Sequence, residues 1–422
     1  MRTNRWFYTA LGVFILLFAG LVYAWSVFAS SLKGYFTQWS AAQLSLTFTI
    51  CMITYCIAGL ICGWLKISAR AKLIISGLLF FIGFYMASQA NSLITLYIGY
   101  GVLAASASGF AFNTVMSSVT KFFPDKPGLI SGILLMGFGF GSFFIGKIYQ
   151  AVTPGGDGFR QTFFGFGILL LIVMVLCSFF IREPKLAEID RYRLTIKTTA
   201  KIDTHDVTPK AMLKNRSFQF FFVWATVLSM SGLILISQAS AIATEAKPTT
   251  SAAALATAVG LISIFNGIGR VLSGILFDKI GRLKTMLLIN TTFMIAVTLI
   301  FLAISKHLYP ILIVSYIFAG LAYGGITPTN SAFMKANFGE KYYAINLSII
   351  NMNLVISSFG STISGLLYDK TNSYYSTLIL MAGIVVIGYI MSFLSKSRNQ
   401  QSTISDSETD LETFKAANQS SF

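Results

Sequence analysis

One arginine stands in the run GLISIFNGIGRVLSGILF, Gly260 to Phe277, in which every other residue is uncharged. At the centre of an apolar span an arginine costs about 2.5–3.5 kcal/mol even on the gentlest insertion scale. Counting back from Phe277 at about 1.5 Å per residue puts Arg270 roughly 10 Å from the end of its span and within about 5 Å of the bilayer midplane. Every other Lys and Arg can be placed in a loop, at a helix end or in a terminus, and no Asp or Glu lies in the middle of a span to neutralise it. Arg270 is therefore expected to face a polar cavity and bind an anion, its planar fork suiting one carboxylate in a bidentate grip; snorkelling towards the headgroups is the alternative. Asn266 lies four residues earlier on the same helix face, where it can orient the guanidinium or donate to a substrate. Its amide carries no proton in transport.

The elements that must position these groups follow from hydropathy. Of 422 residues 55% are hydrophobic and 11% charged, and windows of about 20 apolar residues recur twelve times. The first covers 7–30 and the last 376–394. The fold class is an all-α membrane protein of twelve transmembrane helices. The first span is too long for a signal-peptide core and lacks a small-residue cleavage site, so it is read as retained. Assigning the N-terminus and the even-numbered loops to one side leaves only Lys33, Lys147, Arg160, Lys247, Lys306 and Lys370 on the other, with Arg270 inside. That asymmetry predicts cytoplasmic N- and C-termini in a cell membrane. The net charge of +16 is thus a matter of topology and calls for no nucleic-acid partner. Cys51, Cys56, Cys62 and Cys177 fall within spans without metal-ligand spacing and read as packing residues. His205 and His307 fall in loops, no GxxxxGK[ST] loop occurs, and no carboxylate pair sits in a span. The expectation is no enzyme, no cofactor, no metal and no ATP.

A polar stretch divides the spans six and six, giving an N-terminal half (1–182), a cytoplasmic linker (183–217), a C-terminal half (218–396) and a disordered tail (397–422). The halves share local sequence. FGSFFIGKIY, from Phe140, and FGSTISGLLY, from Phe359, share F-G-S-x-x-x-G-x-x-Y in the fifth and eleventh spans, and FPDK at 123–126 faces FGEK at 338–341. GWLKISARAK from Gly63 and GILFDKIGRLK from Gly274 both lead into a short basic loop. Two six-helix pseudo-repeats with a central loop are the architecture of a secondary transporter, whose site lies near the midplane between them.

GILFDKIGR, Gly274 to Arg282, matches G-x-L-x-D-[RK]-x-G-[RK], and the chain resembles the major facilitator superfamily through it. The first-half copy has Ile67 in place of the Asp. The resemblance implies that Asp278 caps a helix end and locks one face, with Arg282 in the same gating loop. An Asp followed by basic residues at cytoplasmic helix ends can form a charge-assisted latch. GLVYAWSVF from Gly20, followed by Trp39-Ser40, with FFPDKPGLISG from Phe122 and NGIGR from Asn266, is similar over nearly all spans to the oxalate/formate antiporter family and the monocarboxylate transporters. That resemblance implies that Tyr23 and Tyr323 are wall residues of an anion site, packing within the helix bundle being the alternative for each. It also sets Phe112 and Phe138 where those carriers tend to have Tyr, which implies a more apolar cavity. Where the oxalate carriers place a second cation, a Lys, the alignment places Ile350; nearby Asn351 and Asn353 can offer neutral hydrogen bonds.

The expected function is transport of a small organic anion, a monocarboxylate, by alternating access, by a monomer in the lipid bilayer. A carrier of a zwitterionic or neutral metabolite is the alternative on the same fold, and a non-transporting membrane receptor is the alternative of a different class.

Overall fold

The computed structural model describes residues 5–123, 127–153, 155–184, 188, 206–247, 251–339 and 342–395. Among them every regular element is helical. Helix α1 runs Arg5–Tyr35, α2 Ala41–Trp64, α3 Ala69–Ser88 and α4 Leu93–Phe122. Helix α5 runs Pro127–Val152, α6 Phe159–Ser178 and α7 Arg216–Ala246. The next segment, Ala252–Lys306, is far too long to cross a bilayer once, and its backbone breaks at Gly281, where φ is 78°. Residues 252–280 form α8 and 282–306 form α9, and α9 returns to the face where α8 began. Tyr309, just past its end, donates to the carbonyl of Ala254 at 2.7 Å. Helix α10 runs Tyr309–Phe338, α11 consists of two pieces, Tyr343–Asn351 and Asn353–Thr371, and α12 runs Tyr375–Leu394. Eleven apolar helices, one of them doubled back, make twelve crossings.

Local sequence starts and stops these helices. Ser40 accepts from the Gln43 N–H while the Gln43 side chain accepts from the Ser40 N–H, a reciprocal cap that opens α2. Ser68, Asn215 and Ser251 cap α3, α7 and α8 in the simpler way. His307 and Asn372 end α9 and α11 in the left-handed conformation.

Helices α1–α6 and α7–α12 form the two halves, which meet along α5 against α8 and α2 against α11, with α7 also touching α1. The chain's first described residues and the end of α12 lie on one membrane face, called here the terminal face; the other is the far face. The connector expected at 183–217 is described only in part. A short helix, Pro209–Lys214, capped by Thr208, sits on the terminal face. Val207 beside it is strapped to the C-terminal half, its N–H donating to Phe338 O at 3.0 Å and its carbonyl accepting from Asn346 Nδ2 at 3.2 Å. The tail at 397–422, His205 and the last three residues of FPDK lie outside the described residues.

Candidate substrate cavity

The first helix is not uniform. Gly20–Ala24 tightens into a 3₁₀ turn between two α-helical pieces, which leaves backbone carbonyls without their usual i+4 partner. Helix α4 supplies donors: Ser108 Oγ bonds Ala19 O at 2.6 Å and Tyr100 Oη approaches Leu21 O at 3.4 Å. On its other side the turn presses on α5 without side chains between. A Cβ on Gly20 would lie 2.0 Å from the Phe138 carbonyl oxygen and one on Gly141 2.2 Å from that of Leu17, so only glycine permits this crossing. Tyr23 is thereby brought edge-on to Phe138, ring centroids 5.4 Å apart.

Helix α8 meets α10 just as closely. A Cβ on Gly324 would strike the Asn266 carbonyl oxygen at 2.1 Å. Tyr323 therefore lies beside Arg270's helix, and its ring faces Tyr23 at 6.5 Å, with the two hydroxyls 3.4 Å apart across the halves.

These residues enclose a cavity of about 190 Å³ between the halves. The N-terminal half contributes an aromatic wall: Tyr55, Phe112 and Phe138 pack with centroids 5.2–5.9 Å apart, and Tyr23 and Cys56 continue it. The C-terminal half contributes Arg270, Tyr323, Asn330, Asn351 and Asn353.

Arg270 is 6% exposed. Its Nε donates to Asn266 Oδ1 at 3.2 Å and its Nη1 to the Leu135 carbonyl of α5 at 2.9 Å. Two of the five guanidinium N–H groups are thus used, and no carboxylate pairs with it among the described residues. Among the described residues the remaining donors meet no protein acceptor. Burial of an uncompensated guanidinium is tolerable only where water or a ligand anion supplies the missing interactions. Two amides on the same wall are also unsatisfied: neither amide atom of Asn353 has a partner, nor does Asn330 Oδ1, although both residues are at least 97% buried.

Residues 9–244 and 220–419 match the family model of the Major Facilitator Superfamily. The chain belongs to the major facilitator superfamily. Among curated proteins it is 26% identical over 369 residues to the uncharacterised MFS-type transporter YhjX of Escherichia coli, covering 85% of this chain and 86% of that one. It is 28% identical over 289 residues to the oxalate:formate antiporter of Oxalobacter formigenes, covering 67% and 66%, and 24% identical over 335 residues to monocarboxylate transporter 13 of Rattus norvegicus, covering 76% and 72%. Among solved structures, a bacterial homologue of the human lysosomal transporter Spinster in an inward-facing and occupied conformation superposes with TM-score 0.71 at 13% identity over 94% of this chain and 97% of that one. The xylose transporter XylE of E. coli superposes with TM-score 0.67 at 15% identity, over 93% and 98%. The fold is that of the superfamily, and the protein is a multi-pass membrane transporter.

In this facilitator fold Arg270, Tyr23, Tyr323 and Asn351 line one cavity, while Asn266 is fully buried behind Arg270 and bonds it. The two residues expected to gate lie elsewhere. Asp278 is exposed at the terminal end of α8, and Arg282 is buried at the start of α9, donating to Ser395 Oγ at 2.6 Å and Ser392 O at 3.1 Å of α12. Ile350 is fully buried and not on the cavity wall; the wall residues of α11 are Ser348 and Asn351 to Leu354. Sequence reasoning passed over Tyr55, Asn113 and Asn330 and read Cys56 as packing, yet all four face the cavity. The asparagines carried a readable signal, since a polar amide inside a span needs a polar surrounding; Tyr55 and Cys56 carried none.

Proposed function

We propose that this transporter carries a small organic monoanion by alternating access, with the carboxylate of the cargo held by Arg270. The uncommitted donors of this buried, carboxylate-free guanidinium on the cavity wall carry the reading. With a single cation on the wall, a monocarboxylate is neutralised on binding, whereas a dicarboxylate would leave a net charge in a low-dielectric site. A zwitterion fits less well, because no acidic side chain lines the cavity to receive an ammonium. Drug-sized ligands occupy pockets of about 300–1,000 Å³, so a cavity of 190 Å³ calls for a smaller cargo. The names of the oxalate:formate and monocarboxylate relatives point the same way.

Within the site, Asn266 fixes the guanidinium, Tyr23 and Tyr323 bound the cavity where the halves touch, and Asn351 and Asn353 offer neutral hydrogen bonds to a second polar group on the cargo. Positive residues favour the terminal face, which makes it the cytoplasmic one and the termini cytoplasmic. Asp278 acts as a latch when that face closes, and Arg282 anchors the loop beside it to α12.

Purified protein in a thermal-shift screen over mono- and dicarboxylates, amino acids and neutral metabolites, followed by counterflow in proteoliposomes, tests this. Binding stabilises the folded state by mass action, so monocarboxylates should raise Tm and exchange, while dicarboxylates and neutral compounds should do neither. Saturable counterflow of a neutral compound without any of a carboxylate would overturn the proposal.

A further inference from the structure

At its far end, α2 begins against the end of α11. Asp369 Oδ1 accepts from the Ala41 N–H and Oδ2 from the Ala42 N–H, both at 2.9 Å, although the residues are more than 320 positions apart and belong to different halves. The first N–H groups of a helix have no intrahelical acceptor and carry the positive end of its dipole. Here Ser40 takes the Gln43 N–H and Asp369 takes the two before it, so the start of α2 is capped from the opposite half by a bidentate carboxylate. One turn before Asp369, a Cβ on Gly365 would lie 2.7–2.8 Å from backbone atoms of Ala41 and Ala42. Glycine lets the two helices come near enough for the cap to form.

The same seam continues inward. Gln238 of α7 donates to Ser45 Oγ at 2.6 Å, and Thr49 Oγ1 bonds the Ser358 carbonyl and Thr362 Oγ1, each at 2.8 Å. One or two turns further, α2 and α11 part around the cavity at Cys56 and Asn353. The second seam, α5 against α8, is joined on the far side by Ser142 to Ser263 and by Lys147, which donates to Thr257 and to the Ala253 carbonyl. Among the described residues, every hydrogen bond between the halves lies at the level of Arg270 or towards the far face.

Asp369 is the fifth residue of the run GLLYDK, 365–370, and Asp278 the fifth of GILFDK, 274–279. Two antiparallel helices of the C-terminal half thus carry one local sequence at opposite membrane faces. The far-face copy is engaged; the terminal-face copy is exposed beside α5, which starts at that face and packs along α8.

We infer that Asp369 is the far-face latch of the transport cycle: its carboxylate holds the N-terminus of α2 while the cavity faces the terminal side, and must release Ala41 and Ala42 before the far face opens. Asp278 is its counterpart for the opposite state. This rests on alternating access and not on the identity of the cargo.

Cys56 lines the cavity and is half-buried, whereas the other three cysteines are buried, so native Cys56 reports access from the terminal face. The thiol introduced by Thr362→Cys, in the far seam, reports access from the other. Labelling with a membrane-impermeant maleimide in vesicles of each orientation should respond to Asp369→Asn by slower reaction at Cys56 and faster reaction at position 362. A shift of the two-state ratio of about tenfold is expected, equivalent to ~1.4 kcal/mol. Asp369→Glu should keep the parent pattern, and Asp278→Asn should move both rates the opposite way, which general destabilisation does not do. Should Asp369→Asn not fold, Gly365→Val, which keeps the carboxylate but blocks the close approach, should give the same signs. Unchanged rates at both thiols in the folded variant, or shifts of one sign in Asp369→Asn and Asp278→Asn alike, would overturn the inference. No readout uses a cargo, so a failed counterflow screen would remove the organic-anion reading and leave this one standing.

Discussion

The two walls of the cavity differ in kind. The N-terminal half presents four rings, Tyr23, Tyr55, Phe112 and Phe138, beside the one amide of Asn113, while the C-terminal half presents a guanidinium and three amides beside the one ring of Tyr323. An anion with an apolar body satisfies both at once: its head meets Arg270 and its body meets the rings. A cargo of this kind bridges the halves, and neither half alone can bind it well. That division gives a physical reason for binding to be coupled to the approach of the halves, since the differential contact it makes in the closed state is what shifts the equilibrium.

The polar wall can be broken outright. Arg270→Gln should lower affinity for the cargo by about 100-fold or more, the loss of two charge-assisted hydrogen bonds at about 1.5–3 kcal/mol each. The variant should still insert and fold, because it removes a costly buried charge. Calorimetric titration and Tm on the same preparation separate the two effects. Normal transport by this variant would show that the head of the cargo is read elsewhere.

Charge on that wall should set the charge of the cargo. Asn353→Lys adds an ammonium at a wall position and should raise the dicarboxylate-to-monocarboxylate affinity ratio by tens of fold, measured by competition. Ile350→Lys should not, despite the alignment that points there. Ile350 is fully buried off the cavity, and an ammonium in that packing should instead lower the yield of folded protein.

A smaller effect tests the amides. Asn353→Ala should cost about tenfold in affinity for a monocarboxylate bearing a hydroxyl, a hydrogen-bond loss of ~1 kcal/mol or somewhat more, and almost nothing for one without it. Equal losses for both would show that Asn353 supports the helix break at Met352 and does not read the cargo.

The aromatic wall should answer in a different currency. Phe138→Ala should weaken cargoes with larger apolar bodies by several-fold more than the smallest carboxylates, in line with about 0.8 kcal/mol per buried methylene, and leave the charge preference unchanged. Bound cargo should also slow maleimide reaction at Cys56 a few-fold. A change in charge preference on altering Phe138 would erase the distinction between the walls.

Hydropathy and charge placement sufficed for twelve spans, because a bilayer imposes length and apolarity on each crossing helix independently of the others. The repeated F-G-S-x-x-x-G-x-x-Y segments divided them into halves, and Arg270 stood out because one uncompensated charge in hydrocarbon needs a reason wherever its neighbours lie. What faces the cavity is a property of helix rotation and crossing, and that is decided between helices distant in sequence. Asn351 and Asn353 could not be told apart from Ile350 in one dimension, since α11 breaks at Met352 and shifts the phase of its faces. Tyr23 owes its place to the 3₁₀ turn and to the contact of Gly20 with α5. Asp278 was visible through its motif, whereas Asp369, in nearly the same local sequence, gained its role only by meeting the first amides of α2. A helix terminus attracts a carboxylate only within about its first turn, and no reading of one strand of sequence says which terminus folding will bring there.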